Sequence, residues 1–185
     1  EAAGGKLDGN GRVQVDEDRR ASSEKVDAIG DIVRGSALAH KAMEEGVVAA
    51  EHASGAETHP CKLDLVPGAT FCHPQVASVG LTEAQAKEAG HDIKTGKFKL
   101  GGVGAGTVYD DRDGMVKLVV DKKYGEIVGA HIVGNRACDM IAELVAVMAL
   151  EGGIQELQRI MHPHPTISEA VVEGARAVDG WATHA

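Results

Sequence analysis

Residues 116–133 read VKLVVDKKYGEIVGAHIV and carry the clearest strand signal of the chain. Val116, Leu118 and Val120 alternate with Lys117 and Asp121, which indicates the two-residue period of a half-buried strand. Residues 122–125 (KKYG) carry a turn signal, and residues 127–133 form a second apolar run. Two strand signals joined by a short turn predict a β-hairpin.

Helix signals lie on both sides of this hairpin. Thr82 and Gln85 have the spacing of a capping box, and Gly90 follows as a stop, which predicts a short helix between them. After the hairpin, Asn135 is expected to cap a longer helix, and a last helix is expected over residues 166–180. The predicted buried face of the longer helix consists of Ile141, Leu144, Val145 and Met148. We therefore predict an α+β domain, an antiparallel sheet with helices on one side.

The region before this domain has weaker signals. Val13 and Val15 share one face of a short edge strand, and residues 25–31 predict another short strand that ends in a glycine turn. Residues 38–53 have a helical period. The face that this period predicts to be buried consists of Ala39, Met43, Gly46, Val47 and Ala50.

Periodicity is lost between residues 54 and 68, which predicts a linker. We place a boundary in this linker and divide the chain into residues 1–60 and residues 61–185.

Composition excludes several classes of partner. The 19 basic side chains are outnumbered by 28 acidic ones, and the net charge of −9 argues against a phosphate backbone as ligand and favours a basic partner. The longest stretch without charged residues, residues 65–82, contains Pro67 and Pro74, so no membrane segment is expected.

The three cysteines, Cys61, Cys72 and Cys138, are an odd number at wide spacings. They predict neither a disulfide framework nor a zinc site, and they fit a reducing cytoplasm. The chain begins at Glu1 without an initiator Met or a signal peptide, which indicates an excised piece of a longer protein.

The densest polar constellation is HPHPTISE at residues 162–169. His164 and Glu169 could form an acid–base dyad, because a carboxylate on one ring nitrogen raises the basicity of the other. The alternative is a capping box, in which Glu169 only closes the helix start with Thr166. A metal reading would need further ligands such as His184 or Cys138, and no spacing enforces their approach.

Two other segments have binding potential. Asp31 ends the run Ala28-Ile29-Gly30-Asp31, where its carboxylate could accept a hydrogen bond from a ligand hydroxyl or could cap a turn. Leu38, Ala39 and His40 begin the predicted helix, whose N-terminal amides could stabilise an anion.

Together, these three segments resemble the flavoprotein disulfide reductases, most closely the branch that oxidises dihydrolipoamide, over nearly the whole chain. The resemblance implies that Asp31 meets the ribityl chain of FAD and that Leu38, Ala39 and His40 approach the flavin ring. It also implies that His164 is the acid–base residue, that Glu169 orients it, and that the peptide bond before Pro165 is cis. Relatives of glutathione reductase lack the first histidine of the loop and the Leu-Ala-His-Lys run.

The resemblance implies the oxidation of dihydrolipoamide by NAD⁺ through FAD and a redox disulfide. The chain contains neither a Gly-x-Gly-x-x-Gly motif nor a Cys-x4-Cys motif. It is therefore expected to be the tail of an FAD-binding domain (residues 1–60) followed by the interface domain (residues 61–185). Alone it is expected to be inactive and to bind neither FAD nor NAD tightly.

The implied partners are a second copy of the chain, in a homodimer, and the lipoyl-bearing acyltransferase component of a 2-oxoacid dehydrogenase complex. The alternatives are a dimerisation and docking module without chemistry, a relative of glutathione reductase, and an unrelated metal-binding α+β protein.

Overall fold

The computed structural model describes residues 4–23 and 25–184. The chain forms two compact units, Glu1–Val66 and Pro67–Ala185. The division follows Val66, whereas the sequence analysis placed it after Pro60. In the described residues no helix has the length and apolar character needed to cross a membrane.

The first unit contains the helix α1, Ala39–Ser54, and two short 3₁₀ helices, Gly30–Ile32 and Leu63–Leu65. The strands predicted near Val15 and over residues 25–31 are reduced to isolated β-bridges. Asp16 accounts for part of this difference. Its carboxylate accepts hydrogen bonds from the backbone N–H groups of two following residues, which bends the chain before a ladder can extend.

The buried face predicted for α1 is wrong. Met43 is 70% exposed and Val47 is 51% exposed within this chain. The buried side instead carries Lys41, Glu45 and Val48, which also lie on one helical face. The period of apolar residues predicted the helix correctly but not its buried side. Two charged residues can be buried there because Lys41 and Glu45 neutralise each other in an ion pair at 3.1 Å.

The second unit is built on a five-stranded sheet in which every neighbouring pair is antiparallel. The strands are β1 (Gly68–Thr70), β2 (Gln75–Gly80), β3 (Ile93–Lys99), β4 (Gly114–Asp121) and β5 (Ile127–Gly134). Their order across the sheet is β1-β2-β5-β4-β3. The predicted hairpin is confirmed as β4 and β5, and the register of this pair shifts between Val119 and Val120.

The helices of this unit are α2 (Glu83–Glu88), α3 (Gly104–Val108), α4 (Ala137–Ala149), α5 (Ile154–Leu157) and α6 (Glu169–Val178). A 3₁₀ helix, Leu100–Gly102, precedes α3. The main core lies between one face of the sheet and α4, α5 and α6. A smaller cluster on Val119 and Val128 packs with Ala86 of α2. The predicted α+β class, with its main helices on one side, is confirmed.

Two predicted helix starts give different results. The capping box of α2 is confirmed, since Thr82 accepts a hydrogen bond from the N–H of Gln85 and donates its own N–H to the Gln85 side chain. Asn135 does not cap α4. The residue at the cap position is Arg136, in the left-handed region at φ 59° and without a side-chain cap. Gln75 of β2 instead accepts the N–H of Cys138 at 3.1 Å.

Candidate functional site

The loop between α5 and α6 carries the polar constellation predicted from the sequence. It holds His162, Pro163, His164, Pro165 and Thr166, and it leads into α6 at Glu169. The predicted last helix is shorter than expected, because residues 166–168 belong to the loop. The peptide bond between His164 and Pro165 is cis, as the family resemblance implied.

His164 and Glu169 are in direct contact. The Nδ1 atom of His164 lies 2.9 Å from Oε1 of Glu169. The His164 side chain is 72% exposed, whereas the Glu169 side chain is 16% exposed. If Nδ1 carries the ring proton and donates it to the carboxylate, Nε2 is left as an exposed proton acceptor.

Glu169 also closes the start of α6. Its second oxygen, Oε2, accepts the N–H of Thr166 at 2.8 Å. The hydroxyl of Thr166 donates to the carbonyl of Pro163 at 2.8 Å rather than completing a reciprocal box. The two alternatives from the sequence therefore coexist in one carboxylate, which orients His164 with one oxygen and caps the loop with the other.

The pKa of Glu169 lies below its usual range. Burial by itself raises this pKa, but the N–H of Thr166 and the ring of His164 stabilise the charged form and outweigh the burial. The carboxylate is therefore ionised near neutral pH, as a group that holds a histidine must be.

His162, the first histidine of the loop, has a different role. Its Nε2 atom lies 2.8 Å from Oε1 of Glu143 on α4, and its side chain is 6% exposed. The hydrogen bond to Glu143 raises the pKa of His162, and burial opposes this effect without cancelling it. This pair fixes the base of the loop to α4. Glu143 was not predicted from the sequence, because no local motif links it to His162 across 19 positions.

In the first unit, Asp31 is an exposed residue of the 3₁₀ helix Gly30–Ile32. Leu38 occupies the N-cap position of α1 without a side-chain cap, and Ala39 and His40 form its first turn. These residues lie in a different unit from His164 and Glu169. The structure therefore brings the predicted dyad together within one unit and the predicted flavin contacts within the other.

A buried ionic network joins the 3₁₀ helix of Asp31 to α1. Glu45 accepts the N–H of Gly30 at 2.8 Å and ion pairs with Lys41 and Arg19 at 3.1 and 3.3 Å. Lys41 also donates to the carbonyl of Gly30 at 3.2 Å. This network was not predicted from the sequence. The spacing of Lys41 and Glu45, four positions apart on a predicted helix, does indicate the ion pair between them.

No metal centre is found among the residues described. Residues 4–23 and 25–184 contain no group of three or more His, Cys, Asp or Glu side chains that could hold a metal ion.

The chain matches one protein family over most of its second unit and matches individual enzymes over nearly its whole length. Residues 66–175 match the family described as pyridine nucleotide-disulphide oxidoreductase, dimerisation domain. The dihydrolipoyl dehydrogenase of Bacillus subtilis is 42% identical over 175 residues, which are 95% of this chain and 37% of that protein. The dihydrolipoyl dehydrogenase of Rhizobium etli is 45% identical over 174 residues, which are 94% of this chain and 36% of that protein.

A solved structure shares the fold. The crystal structure of LpdA from Mycobacterium tuberculosis superposes with a TM-score of 0.86 at 24% sequence identity, covering 94% of this chain and 38% of that chain. The chain thus spans less than two fifths of the length of each of these relatives.

Proposed function

Since the chain belongs to the pyridine nucleotide-disulphide oxidoreductases and carries their dimerisation domain, we propose that it supplies the acid–base dyad of a dihydrolipoamide dehydrogenase. The observation that carries this proposal is the 2.9 Å contact between His164 and Glu169 on an exposed loop. The names of the two bacterial relatives support the choice of dihydrolipoamide as substrate.

The proposed step is a proton transfer from a thiol of dihydrolipoamide to Nε2 of His164. The thiolate, and not the thiol, is the nucleophile that attacks a disulfide, so removal of this proton starts thiol–disulfide exchange. Glu169 stabilises the imidazolium that forms, because its ionised carboxylate faces Nδ1. The His162–Glu143 pair holds the base of the loop and thereby positions His164.

The site is open within a single chain. His164 is 72% exposed, and neither it nor Glu169 lines the groove of about 360 Å³ beside Thr166 and Glu143. A general base that works in a site closed to water is expected to be covered by another protein surface. We therefore propose that a second copy of the chain's parent protein covers this loop in a homodimer and contributes the reacting disulfide, in keeping with a dimerisation domain.

Residues of the first unit fit the flavin contacts that the resemblance implies. The carboxylate of Asp31 is exposed and can accept a hydroxyl hydrogen bond, and the uncapped start of α1 at Leu38 presents backbone donors to an electron-rich group. Asp31, Leu38, Ala39 and His40 would hold FAD, which passes electrons from the enzyme's dithiol to NAD⁺. Through their hydrogen bonds to the backbone of Gly30, Glu45 and Lys41 would hold Asp31 in place relative to α1.

A basic protein domain is the proposed macromolecular partner. The net charge of −9 favours a positively charged surface, such as a small basic subunit-binding domain of the lipoyl-bearing acyltransferase. Titration calorimetry of the dimeric flavoprotein with that domain is expected to show weaker binding at high salt. Affinity that does not change with salt would contradict the electrostatic part of this proposal.

The experiment that tests the dyad is the turnover of dihydrolipoamide with NAD⁺ by the flavin-loaded protein that contains this chain. The substitution His164→Gln is expected to lower turnover by about 10²- to 10⁴-fold, the usual contribution of a general base. His91 provides a matched control, because it also pairs with a carboxylate, that of Asp121 at 3.0 Å, but belongs to no proposed site.

His91→Gln is expected to leave turnover within about twofold of the unsubstituted protein, since it removes no proposed base. Flavin absorbance and sedimentation confirm that each variant keeps its cofactor and its oligomeric state. Near-full turnover of His164→Gln with flavin and dimer intact would contradict the proposal.

A further inference from the structure

The thiols of Cys72 and Cys138 both lie close to the same backbone carbonyl group. Cys72 is in the turn between β1 and β2, and Cys138 is in the first turn of α4. The Sγ atom of each cysteine lies 3.7 Å from the carbonyl oxygen of Thr70. Two thiols that looked unrelated in the sequence therefore meet at one point of the fold.

The shared oxygen limits the distance between the two sulfurs. Each sulfur is 3.7 Å from it, so the separation cannot exceed twice that value, 7.4 Å. A disulfide needs an S–S distance of about 2 Å. Rotation about χ1 moves a cysteine sulfur by up to roughly 3 Å between staggered positions, so a change of rotamer at both cysteines is of the size needed to close the gap.

The two thiols differ in exposure. Cys72 is exposed, and its thiol donates to the carbonyl of Pro74 at 3.0 Å. Cys138 is partly buried and packs against the main core. Burial raises the pKa of the Cys138 thiol, and the nearby charge of Asp139 raises it further. Cys72 is thus the more accessible thiol to an oxidant from solvent, and Cys138 is the less accessible thiol of the pair.

The third cysteine is separate from this pair. Cys61 lies in the first unit, whereas Cys72 and Cys138 lie in the second. Burial raises the pKa of the Cys61 thiol, as it does for Cys138, so Cys61 is distinguished by its place in the other unit and not by its pKa. It provides an internal control for any oxidation of the pair.

We propose that Cys72 and Cys138 are a redox modification site, at which a hydroperoxide converts the two thiols into a reversible disulfide between the β1–β2 turn and α4. In the first step the sulfur of Cys72 attacks one peroxide oxygen, the O–O bond breaks, and Cys72 becomes a sulfenic acid with release of water or an alcohol. In the second step the sulfur of Cys138 attacks the Cys72 sulfur and expels water. Two thiols are oxidised, and one peroxide bond is reduced.

The bridge would add a covalent link between two elements that already pack against each other at the edge of the main core. The start of α4 contacts β2 through the side chain of Gln75, which accepts the N–H of Cys138. Since α4 also carries Glu143, the bridge would fix the helix that supports His162. The proposal does not depend on the proposed catalytic function, because it uses neither His164 nor Glu169.

The test is disulfide mapping of the full chain after brief treatment with hydrogen peroxide. We expect a peptide pair that links Cys72 to Cys138, lost on reduction with dithiothreitol, and a Cys61 thiol that remains free for alkylation. The rate of bridging is expected to be unchanged by about tenfold dilution of the protein, because both thiols belong to one chain.

Single substitutions separate this outcome from nonspecific oxidation. Cys61→Ser is expected to keep the bridge, whereas Cys72→Ser and Cys138→Ser are expected to abolish it. In Cys138→Ser, Cys72 should proceed to sulfinic acid because it has no resolving thiol. Sulfinic acid at Cys72 in the unsubstituted chain, with Cys138 free, would overturn the proposal. A disulfide that forms only between chains would overturn it as well.

Discussion

Glu169 holds Nδ1 of His164 at 2.9 Å with one carboxylate oxygen, while its other oxygen accepts the N–H of Thr166 at 2.8 Å. One side chain thus contacts the proposed base and also stabilises the helix start. These two roles can be separated by experiment, because they need different properties of the carboxylate: the first needs its charge, and the second needs only an acceptor.

Glu169→Gln is expected to affect rate more than stability. The amide keeps an oxygen for the N–H of Thr166, but if its NH₂ group donates to Nδ1 the ring proton moves to Nε2 and blocks the base. Turnover of the flavin-loaded protein should fall by roughly 10²-fold or more, as for other histidines held in the wrong tautomer. Glu169→Ala should also lower stability by about 1 kcal/mol through loss of the cap.

Thermal denaturation and steady-state turnover of both variants check this prediction. A role in capping alone would appear as unchanged turnover in Glu169→Gln together with a lower melting temperature in Glu169→Ala.

The His162–Glu143 pair is expected to make stability depend on pH. Because the folded pKa of His162 is raised above its usual value of 6.5, the stabilisation is fully present below about pH 6.5 and is lost as pH rises through the folded pKa. The urea midpoint should therefore decline above about pH 6.5, and Glu143→Gln should flatten this decline. Parallel pH profiles of the two proteins would show that the pair contributes nothing.

Removal of Glu45 is expected to loosen α1. This side chain is fully buried and binds Lys41, Arg19 and the N–H of Gly30. Breaking a buried pair by deleting one partner typically costs about 3–5 kcal/mol, so Glu45→Ala should speed hydrogen exchange of the α1 amides by about 10²-fold or more. The neighbouring Glu44 is exposed, and Glu44→Ala is the matched control. Similar exchange in both variants would argue against the network.

Gly96 is expected to be intolerant of any side chain. A Cβ atom added there would lie 2.3 Å from the carbonyl oxygen of Gly174 and 2.6 Å from the backbone nitrogen of Val178, both on α6. Gly96→Ala must therefore push α6 away from β3, and overpacking of this kind typically costs about 1–3 kcal/mol.

Gly9→Ala is the control for Gly96→Ala, since a Cβ atom at Gly9 would meet nothing within 4 Å. Urea denaturation should destabilise only the first variant. Because α6 begins at Glu169, Gly96→Ala is also expected to weaken the protection of the His164 loop against proteolysis. Equal stability of the two variants would show that α6 can shift without cost.

The elements that could be predicted from the sequence are those whose signals are local. The alternation around Leu118 predicts the β4–β5 hairpin, and the Thr82 capping box predicts the start of α2, because both depend on residues within a few positions of each other. The spacing of His164 and Glu169 allowed two roles, and the short connection between them made their contact possible in either case. The catalytic role proposed for that contact comes from the family resemblance.

Features that depend on residues far apart in the sequence could be seen only in the tertiary structure. The partner of His162 is Glu143 on α4, the N–H of Cys138 at the start of α4 is accepted by Gln75 on β2, and the thiols of Cys72 and Cys138 lie beside the same carbonyl of Thr70. The buried side of α1 carries the ion pairs of Glu45 with Lys41 and Arg19 rather than the apolar residues of the helical period. A periodic pattern shows which residues share a face of a helix or strand. It does not show which groups cover that face or pair with it, because packing between elements fixes those groups.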